Sequence, residues 1–344
     1  MARISLRPAV ESLWRRGLAV LGLSGAFGLL AGTAFAACTG ESLRDRLSPA
    51  QEDRLAAAIA ATPYPEGLLW QAERDGQQVT LMGTLHVFDD RITPLADSAL
   101  PYLQNAGLAL FEMTPEDEGR LAQAVIADPA MVRLPAGQTL ETLLPPATWE
   151  TVSDLLTARG VPPAVASGMQ PWFLANLVAI PTCALGAAQA GQTGVDHALM
   201  AAATANGIPM AALEPWDSLL TIFDEMTFDD QVDFLQLSLV APDVQDALFV
   251  AMIDGYFAGR IAEVWEMNTI ALDFMPGVDA DNGIDMLVQD KILDARNHAW
   301  VPVIEEAAAR HGTIFVGAGA AHLPGHAGLL TLMAERGWDI RRLD

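Results

Sequence analysis

The stretch LMGTLHVF, Leu81–Phe88, decides the fold that we expect for this chain. In it, an apolar run with strand character ends at a Gly-x-x-His turn, residues 83–86. Near the other end of the chain, TIFVGAGAAHLPG (Thr313–Gly325) repeats the pattern with a second Gly-x-x-His turn at residues 319–322. The glycine that opens each turn permits a tight bend and a close approach of backbones. The two stretches therefore predict two buried strands that end in the same way.

Strands and helices alternate outward from these two stretches. Residues 68–83 have the pattern of a β-hairpin with an Asp75-Gly76 turn, and apolar runs at 107–112 and 209–213 have the pattern of short buried strands. Amphipathic helical patterns lie between them. This alternation predicts an α/β fold with a central mixed sheet, largely buried, and flanking helices.

The expected sheet divides into two pseudo-repeated halves. The first half contains the GTLH turn and ends at Glu112, whereas the second begins with a strand that ends at Glu214 and closes with the GAAH strand. Residues of about 131–181 and 227–311 show helical patterns without strands of their own. We therefore expect residues 37–344 to form a single α/β domain with a helical insertion made of those two segments.

Four side chains that directly follow apolar runs are candidates for a functional site: His86, Glu112, Glu214 and His322. Ligands of open α/β sheets bind beyond the carboxyl ends of the strands, so these distant residues could converge there. Two imidazoles with carboxylates suit a divalent transition metal such as Zn, Mn, Co or Fe, whose bound water becomes a nucleophile. Taken singly, each residue also fits an ordinary structural role as a hydrogen-bonded histidine or a glutamate in a cap or ion pair.

The net charge of the chain limits the classes of partner that we expect it to bind. Acidic residues outnumber basic ones by 43 to 19, which gives a formal net charge of -24. A field of this sign repels phosphate backbones, so we expect no nucleic-acid partner. It attracts cations and basic peptides, although a charged surface often serves solubility alone.

The first 36 residues have the composition of a signal peptide. An arginine-containing n-region is followed by an apolar run at residues 17–36 that ends in an A-x-A-like cleavage site, Ala34-Phe35-Ala36. The rival interpretation is a membrane anchor, because the run is close to the roughly 20 residues that span a bilayer. We expect an exported protein, periplasmic or secreted. A lipoprotein anchor on Cys38 is less favoured, because Phe35 fits the usual aliphatic position poorly.

The chain has two cysteines, Cys38 and Cys183. An even number in an exported protein suggests one disulfide, and two free thiols are the alternative. Their wide separation does not fit a zinc–thiolate site, which uses closely spaced pairs.

Five blocks between Leu68 and Leu343 together resemble the TraB/GumN family: GTLHVFDDRI, FEMTPED, GVDHALMAAATANGIPMAALEPWD, RNHAWVPVIE and FVGAGAAHLPGHAGLLTLMAERGWDI. That family is similar to the TIKI metalloproteases and more distantly to erythromycin esterase-like and haem-binding ChaN-like proteins. The resemblance implies a divalent-metal-dependent hydrolase, peptidase-like, that acts on a peptide or small-molecule substrate. A non-catalytic protein that binds haem, metal or another ligand in the same cleft is the alternative.

Matched by motif, the resemblance carries His86 and His322 over as metal-binding histidines and Glu112 as the catalytic or metal-linked carboxylate. Glu214 corresponds to the glutamate of a further block, although proline follows it here where threonine is usual in the family. The family's RN..W block maps onto residues 296–300, and Arg296 suits a clamp for an oxyanion or carboxylate because its fork binds two oxygens at once.

Two expectations concern the surroundings of this site. Asp89, Asp90 and Arg91 follow His86 closely, and one of them is a candidate to orient the imidazole or, equally, to cap the helix that follows. His197, in the block GVDHALM, is expected on a helix surface, although its neighbour Asp196 is a candidate to assist the site.

Overall fold

The structure is a computed structural model that describes Cys38, residues 40–275 and residues 283–344. The expected signal peptide, residues 1–36, lies outside the described residues. Within them, one mixed sheet has the strand order β4-β3-β5-β2-β1-β6. Its strands are β1 (Leu69–Arg74), β2 (Gln77–Thr84), β3 (Leu108–Phe111), β4 (Met210–Ala212), β5 (Thr313–Gly319) and β6 (Asp339–Arg342). The expected α/β fold is confirmed.

The first two strands form the hairpin that the sequence predicted. Arg74 pairs with Gln77 across a two-residue turn, in which Asp75 has φ 52° and Gly76 has φ 79°. Positive φ at both positions matches the right-handed twist of the strands, and Asp-Gly is a favoured pair for such turns.

Strands β2, β5, β3 and β4 are mutually parallel, so their carboxyl ends lie at one edge of the sheet. In the register of β2 and β5, Thr84 pairs with Gly319, which places the two Gly-x-x-His turns side by side. A Cβ on Gly83 would lie 3.1 Å from the Ala320 Cα, so glycine permits this close approach. The two expected halves interleave, because β5 of the second half lies between β2 and β3 of the first.

Helices cover both faces of the sheet and form a further layer. In chain order, the α-helices are α1 (Pro49–Ala61), α2 (Ile92–Gln104), α3 (Pro115–Ala127), α4 (Leu140–Leu143), α5 (Pro146–Ala158), α6 (Pro163–Ala166), α7 (Pro171–Ala179), α8 (Thr182–Gln189), α9 (Val195–Ala205), α10 (Ser218–Glu225), α11 (Phe228–Leu237), α12 (Pro242–Phe257), α13 (Ile261–Ala271), α14 (Ile284–Val288), α15 (Ala295–His311) and α16 (Leu329–Glu335). A π-helical turn, Gln289–Asp294, joins α14 to α15, and a 3₁₀ turn, Ala320–His322, follows β5.

The period-2 pattern of the central strands places side chains in two hydrophobic cores, one on each face of the sheet. On one face, Leu81 and Val316 pack with Trp300 of α15 and Leu330 of α16. On the other face, Met82 and Phe315 share a core with α2 and α9. Alternate residues of one strand point to opposite faces, so each strand contributes to both layers.

The helical segments have an apolar core of their own. Helices α4, α5, α7 and α11 contribute Leu140, Leu156, Leu174 and Leu235 to it, all fully buried. By contrast, α15, which falls inside the second expected helical segment, packs on the sheet. That position brings its first turn to the carboxyl edge of the strands.

A disulfide joins Cys38 to Cys183 in α8, with an S–S distance of 2.05 Å, and confirms the expected pairing. It ties the chain before α1 to the helical layer. In the described part of the chain, no single helix has the length and apolar character of a membrane span, although two strongly bent helix pairs, α7–α8 and α11–α12, meet that test together.

Candidate functional site

Four of the five expected site residues meet beyond the carboxyl ends of β3, β4 and β5. We call this group, Glu112, Glu214, Arg296 and His322, the buried cluster. Its centre is the guanidinium of Arg296, which is 7% exposed. Nε and Nη2 donate to the two carboxylate oxygens of Glu214 at 3.0 and 2.6 Å, and Nη2 also donates to Oε2 of Glu112 at 2.7 Å.

The remaining N–H groups of Arg296 are also engaged. Nη1 donates to the Ile292 carbonyl at 3.0 Å, in the π-helical turn, and lies 3.3 Å from Nε2 of His322. A guanidinium has five N–H donors, and all five therefore have protein acceptors. The expected oxyanion clamp has no free donor in this arrangement, and Arg296 is instead placed to hold the two glutamates and His322 in position.

His322 is 3% exposed and is held from both nitrogens. Its Nδ1 lies 2.7 Å from Oδ1 of Asn297, whose Nδ2 donates to the Ala327 carbonyl at 3.0 Å. Burial lowers the pKa of His322 to about 4, and the charge of Arg296 acts in the same direction. The neutral ring then donates through Nδ1 to Asn297, which leaves the lone pair of Nε2 facing Arg296.

Glu112 is the member of the buried cluster that turns toward the second Gly-x-x-His turn. Its Oε1 accepts the Gly319 N–H at 2.7 Å, while Oε2 binds Arg296. Burial alone raises the pKa of Glu112, but the interactions with His322, Arg296 and His86 and the Gly319 N–H outweigh it and lower the pKa to about 2. The carboxylate therefore stays ionised at neutral pH.

The fifth expected residue, His86, belongs to a different group. We call His86, Asp196, His197 and Glu118 the rim cluster. Oδ2 of Asp196 lies 3.1 Å from Nδ1 of His86 and 2.9 Å from Nδ1 of His197, and Nε2 of His197 lies 3.0 Å from Oε1 of Glu118. The side chain of His86 is 63% exposed, and no hydrogen-bond partner for its Nε2 is found among the described residues.

The start of α9 explains why Asp196 lies beneath His86. The Val195 N–H donates to the Leu85 carbonyl at 2.8 Å, and a Cβ on Gly194 would lie only 1.8 Å from that carbonyl oxygen. Glycine is required for this approach. The first turn of α9 therefore packs directly on the His86 turn, and Asp196 reaches the imidazole.

Desolvation lowers the pKa of His86, but the hydrogen bond and charge of Asp196 and the charge of Glu112 raise it to about 9. Because the ring is largely exposed, the carboxylates outweigh desolvation and are the dominant influence on this pKa. His86 is then an imidazolium at neutral pH, while Glu112 is a carboxylate.

The two clusters meet in the space beside Gly319. The point where a Cβ of residue 319 would stand is 3.1 Å from Oε1 of Glu112, 3.5 Å from Cδ2 of His322 and 3.9 Å from Nε2 of His86. These three residues approach one point beside the Gly319 Cα, and we call the space at this point the gap. A proton acceptor and a proton donor thus face the same small space, as acid–base chemistry requires.

The expected partners of His86 were wrong in detail. Asp89 accepts from Arg91 at 2.8 Å, and Arg91 pairs further with Asp254 at 2.9 Å, so these residues satisfy one another. Asp196, which the sequence analysis named as a candidate to assist the site, orients His86 instead, from 110 residues away in sequence. His197 was expected as a helix-surface residue but is paired with Glu118 and Asp196. The signal that pointed to this place was the glycine before Val195, which marks a close backbone contact.

The donors of the buried cluster do not fit a divalent metal as they are placed. Among the described residues, no group of three or more His, Cys, Asp and Glu side chains is arranged to hold an ion. The lone pair of His322 Nε2, both oxygens of Glu214 and Oε2 of Glu112 point at the Arg296 guanidinium, which already supplies the positive charge, and Oε1 of Glu112 accepts the Gly319 N–H. The expected Zn, Mn, Co or Fe site stays a prediction.

Comparison with curated proteins and with solved structures gave no match. A family model described as the TraB/PrgY/gumN family matches residues 68–342. The match covers the whole sheet, both Gly-x-x-His turns and every residue of the buried and rim clusters. The chain therefore belongs to the TraB/PrgY/gumN family.

Proposed function

We propose that this chain is a hydrolase in which Glu112 and His86 act as a base and acid pair on a water molecule and a substrate carbonyl. The observation that carries the proposal is their convergence beside Gly319, where Oε1 of Glu112 and Nε2 of His86 surround one gap. Their pKa values lie on opposite sides of neutrality, about 2 and about 9. Such a separation supports the assignment of one base and one acid.

In the proposed reaction, the Glu112 carboxylate accepts a proton from water as the water oxygen attacks the carbonyl carbon. The imidazolium of His86 donates a hydrogen bond to the developing oxyanion and then a proton to the leaving group. The bond between the carbonyl carbon and the leaving group breaks, and the proton on Glu112 returns to His86. An amide bond of a peptide or small molecule is the preferred substrate, because of the peptidase-like relatives that the sequence resemblance implies.

The other members of the two clusters position this pair. Arg296 holds Glu112 through Nη2 and is itself fixed by Glu214. Asp196 fixes the ring of His86 through Nδ1, so that Nε2 faces the gap. Because Arg296 has no free N–H group, we assign it to positioning and not to direct contact with the oxyanion.

We also propose that the protein is exported. The disulfide between Cys38 and Cys183 supports this, because disulfides persist in oxidising compartments such as the periplasm and the cell exterior. The same sulfur of Cys38 cannot carry both this bond and a lipid thioether, so disulfide formation and lipidation are alternatives. Mass spectrometry of the protein isolated from its host under non-reducing conditions tests which one is present.

The central experiment measures hydrolysis of a peptide library and of amide and ester substrates by the chain from residue 37 onward. We expect Glu112→Gln and His86→Ala each to lower kcat/KM by about 10²–10⁴-fold, the usual contribution of a general acid or base. Glu335→Gln and His298→Ala, two exposed residues away from the site, are the matched controls and should retain full activity.

Activity that survives both site substitutions would overturn the assignment of Glu112 and His86. Tight uptake of haem or a metal, with no turnover of any substrate, would favour the non-catalytic alternative.

A further inference from the structure

A groove outside the two clusters carries its own unpaired charge. Two adjoining cavities, of about 220 and about 260 Å³, share five lining residues and form one continuous groove. The shared residues are Gln289, Leu293, Ala321, Pro324 and Gly325. One end is lined by Trp265 and Glu266 of α13, and we call the whole the Glu266 groove.

Glu266 is a half-buried carboxylate with no hydrogen bond or ion pair to any described residue. Burial raises the pKa of Glu266, and no neighbouring cation or donor opposes that rise. A half-buried carboxylate without a partner costs stability, because it loses water and gains no compensating bond. The molecule therefore carries this carboxylate at a cost in its unbound form.

A second carboxylate lies in the remaining lining of the groove. Asp294 lines the other end, where its Oδ1 accepts from Gln289 Nε2 at 2.7 Å. No lysine or arginine is among the described residues that line either cavity, and His326 is the one basic side chain there. An anionic ligand would face two carboxylates, so the charge of the groove selects for a cation.

Trp265 stands beside Glu266 in the same wall. A cavity lined by both an indole and a carboxylate is a favourable setting for an organic cation, since an aromatic ring attracts positive charge and a carboxylate accepts N–H groups. A bare divalent ion is a poorer occupant, because no group of three ligating side chains is present in the described part of the chain.

We propose that the Glu266 groove binds an organic cation, the ammonium or guanidinium of a lysine or arginine side chain, through Glu266 and Trp265. The groove also touches the acid–base site. Ala321 directly precedes His322, and Asn297, which holds Nδ1 of His322, lines the Asp294 end. The binding itself does not depend on turnover, so it can be tested even if the proposed function fails.

The test is calorimetric titration of the chain from residue 37 onward with N-acetyl-lysine amide, with N-acetyl-norleucine amide as the uncharged probe of similar length. We expect the lysine probe to bind at least about tenfold more tightly, because only it supplies the charge-assisted hydrogen bond to Glu266. Equal affinity for the two probes, or no detectable binding of the lysine probe, would overturn the proposal without any variant being made.

Variants then locate the site. Glu266→Gln should weaken binding of the lysine probe about tenfold and bring it to the level of the norleucine probe. Trp265→Leu should weaken it about threefold, since it removes the aromatic face. Glu335→Gln, exposed on α16, is the matched control and should bind as the unaltered chain does. Unchanged binding in Glu266→Gln would refute this groove as the site.

Discussion

The buried cluster and the rim cluster use similar residue types in opposite ways. In the buried cluster, Arg296 is 7% exposed and donates all five N–H groups to protein acceptors. In the rim cluster, Asp196 holds Nδ1 of His86, whereas most of the ring is exposed and Nε2 has no hydrogen-bond partner among the described residues. The two clusters therefore have different tasks. A group whose hydrogen-bonding capacity is fully used by the protein can only position its neighbours, while a group with an unused donor or acceptor can exchange protons with a ligand.

Glu112 links the two groups. It is bound by Arg296 on one oxygen and by the Gly319 N–H on the other, yet it borders the gap that His86 also faces.

Removing Arg296 should affect stability most. Arg296→Met leaves the carboxylates of Glu112 and Glu214 without their cation in a buried setting, and we expect a loss of about 3–5 kcal/mol in the free energy of unfolding. Arg310→Met, on the same helix, removes an exposed i,i+4 pair with Glu306 and should cost no more than about 0.5 kcal/mol. Urea unfolding measures both, and a similar loss in the two variants would contradict the role assigned to the buried cluster.

Filling the gap should reduce activity while the fold persists. Gly319→Ala places a methyl group 3.1 Å from Oε1 of Glu112, in the space proposed for the water. We expect kcat/KM to fall about 10²-fold, because small misplacements at a reacting centre have effects of that size. Gly119→Ala, where an added Cβ meets no atom within 4 Å, is the control. Full activity of Gly319→Ala would exclude the gap as the reaction site.

Changing Asp196 should alter the pH profile of activity. If the imidazolium of His86 is the acid, activity should fall as pH rises through its pKa of about 9. Asp196→Asn removes the carboxylate that raises this pKa, so the alkaline limb should move to lower pH, toward the ordinary value of about 6.5. NMR titration of the His86 ring measures the same shift directly. An alkaline limb at the same pH in both proteins would remove His86 from the acid role.

The same pKa shifts predict how stability depends on pH. The pKa of Glu112 is about 2 in the folded chain and about 4.5 unfolded, so its contribution is present above pH 4.5 and lost as pH falls toward 2. The carboxylates of Asp196 and Glu118, each paired with the His197 ring, raise the pKa of His197 to about 10, so its contribution is present below pH 6.5 and lost as pH rises through 10.

His197→Gln tests this second contribution. Because His197 lies in the partly exposed rim cluster, we expect a loss below about 1 kcal/mol at pH 6 and a negligible one above pH 10. Urea unfolding at both pH values measures it, and an equal loss at the two pH values would show that His197 contributes by packing and not by charge.

The smallest expected effect is that of a chelator. The lone pairs of the buried cluster face Arg296, so we expect dipicolinate or EDTA to leave the rate of hydrolysis unchanged. Loss of activity on chelation that Zn, Mn, Co or Fe restores would instead support the metal site that the family resemblance predicted, with His86 and His322 as its ligands. Elemental analysis of the purified chain provides an independent measurement.

Much of this site was accessible to sequence reasoning. His86, Glu112, Glu214 and His322 each follow an apolar run, and in parallel strands those positions share one edge. The hairpin is equally predictable from the sequence, because Asp75-Gly76 supplies the two positive φ angles that its turn requires. These predictions rested on local periodicity and backbone geometry, which neighbouring residues largely determine.

The partners of these residues were not accessible in the same way. Asp196 was set beside His86 by the packing of α9, and the expected partner Asp89 was taken by Arg91. The role of Arg296 depends on acceptors that follow β3 and β4, on a carbonyl of the π-helical turn and on a histidine of the 3₁₀ turn after β5.

The sequence by itself thus determined the strands, their turns, the disulfide-forming cysteines and the edge where polar residues gather. Only the tertiary structure decided which nitrogen and oxygen lone pairs remain free for a ligand. The physical reason is that hydrogen-bond saturation is a property of a three-dimensional neighbourhood, in which a single guanidinium from α15 satisfies carboxylates that follow two strands and a histidine that follows a third.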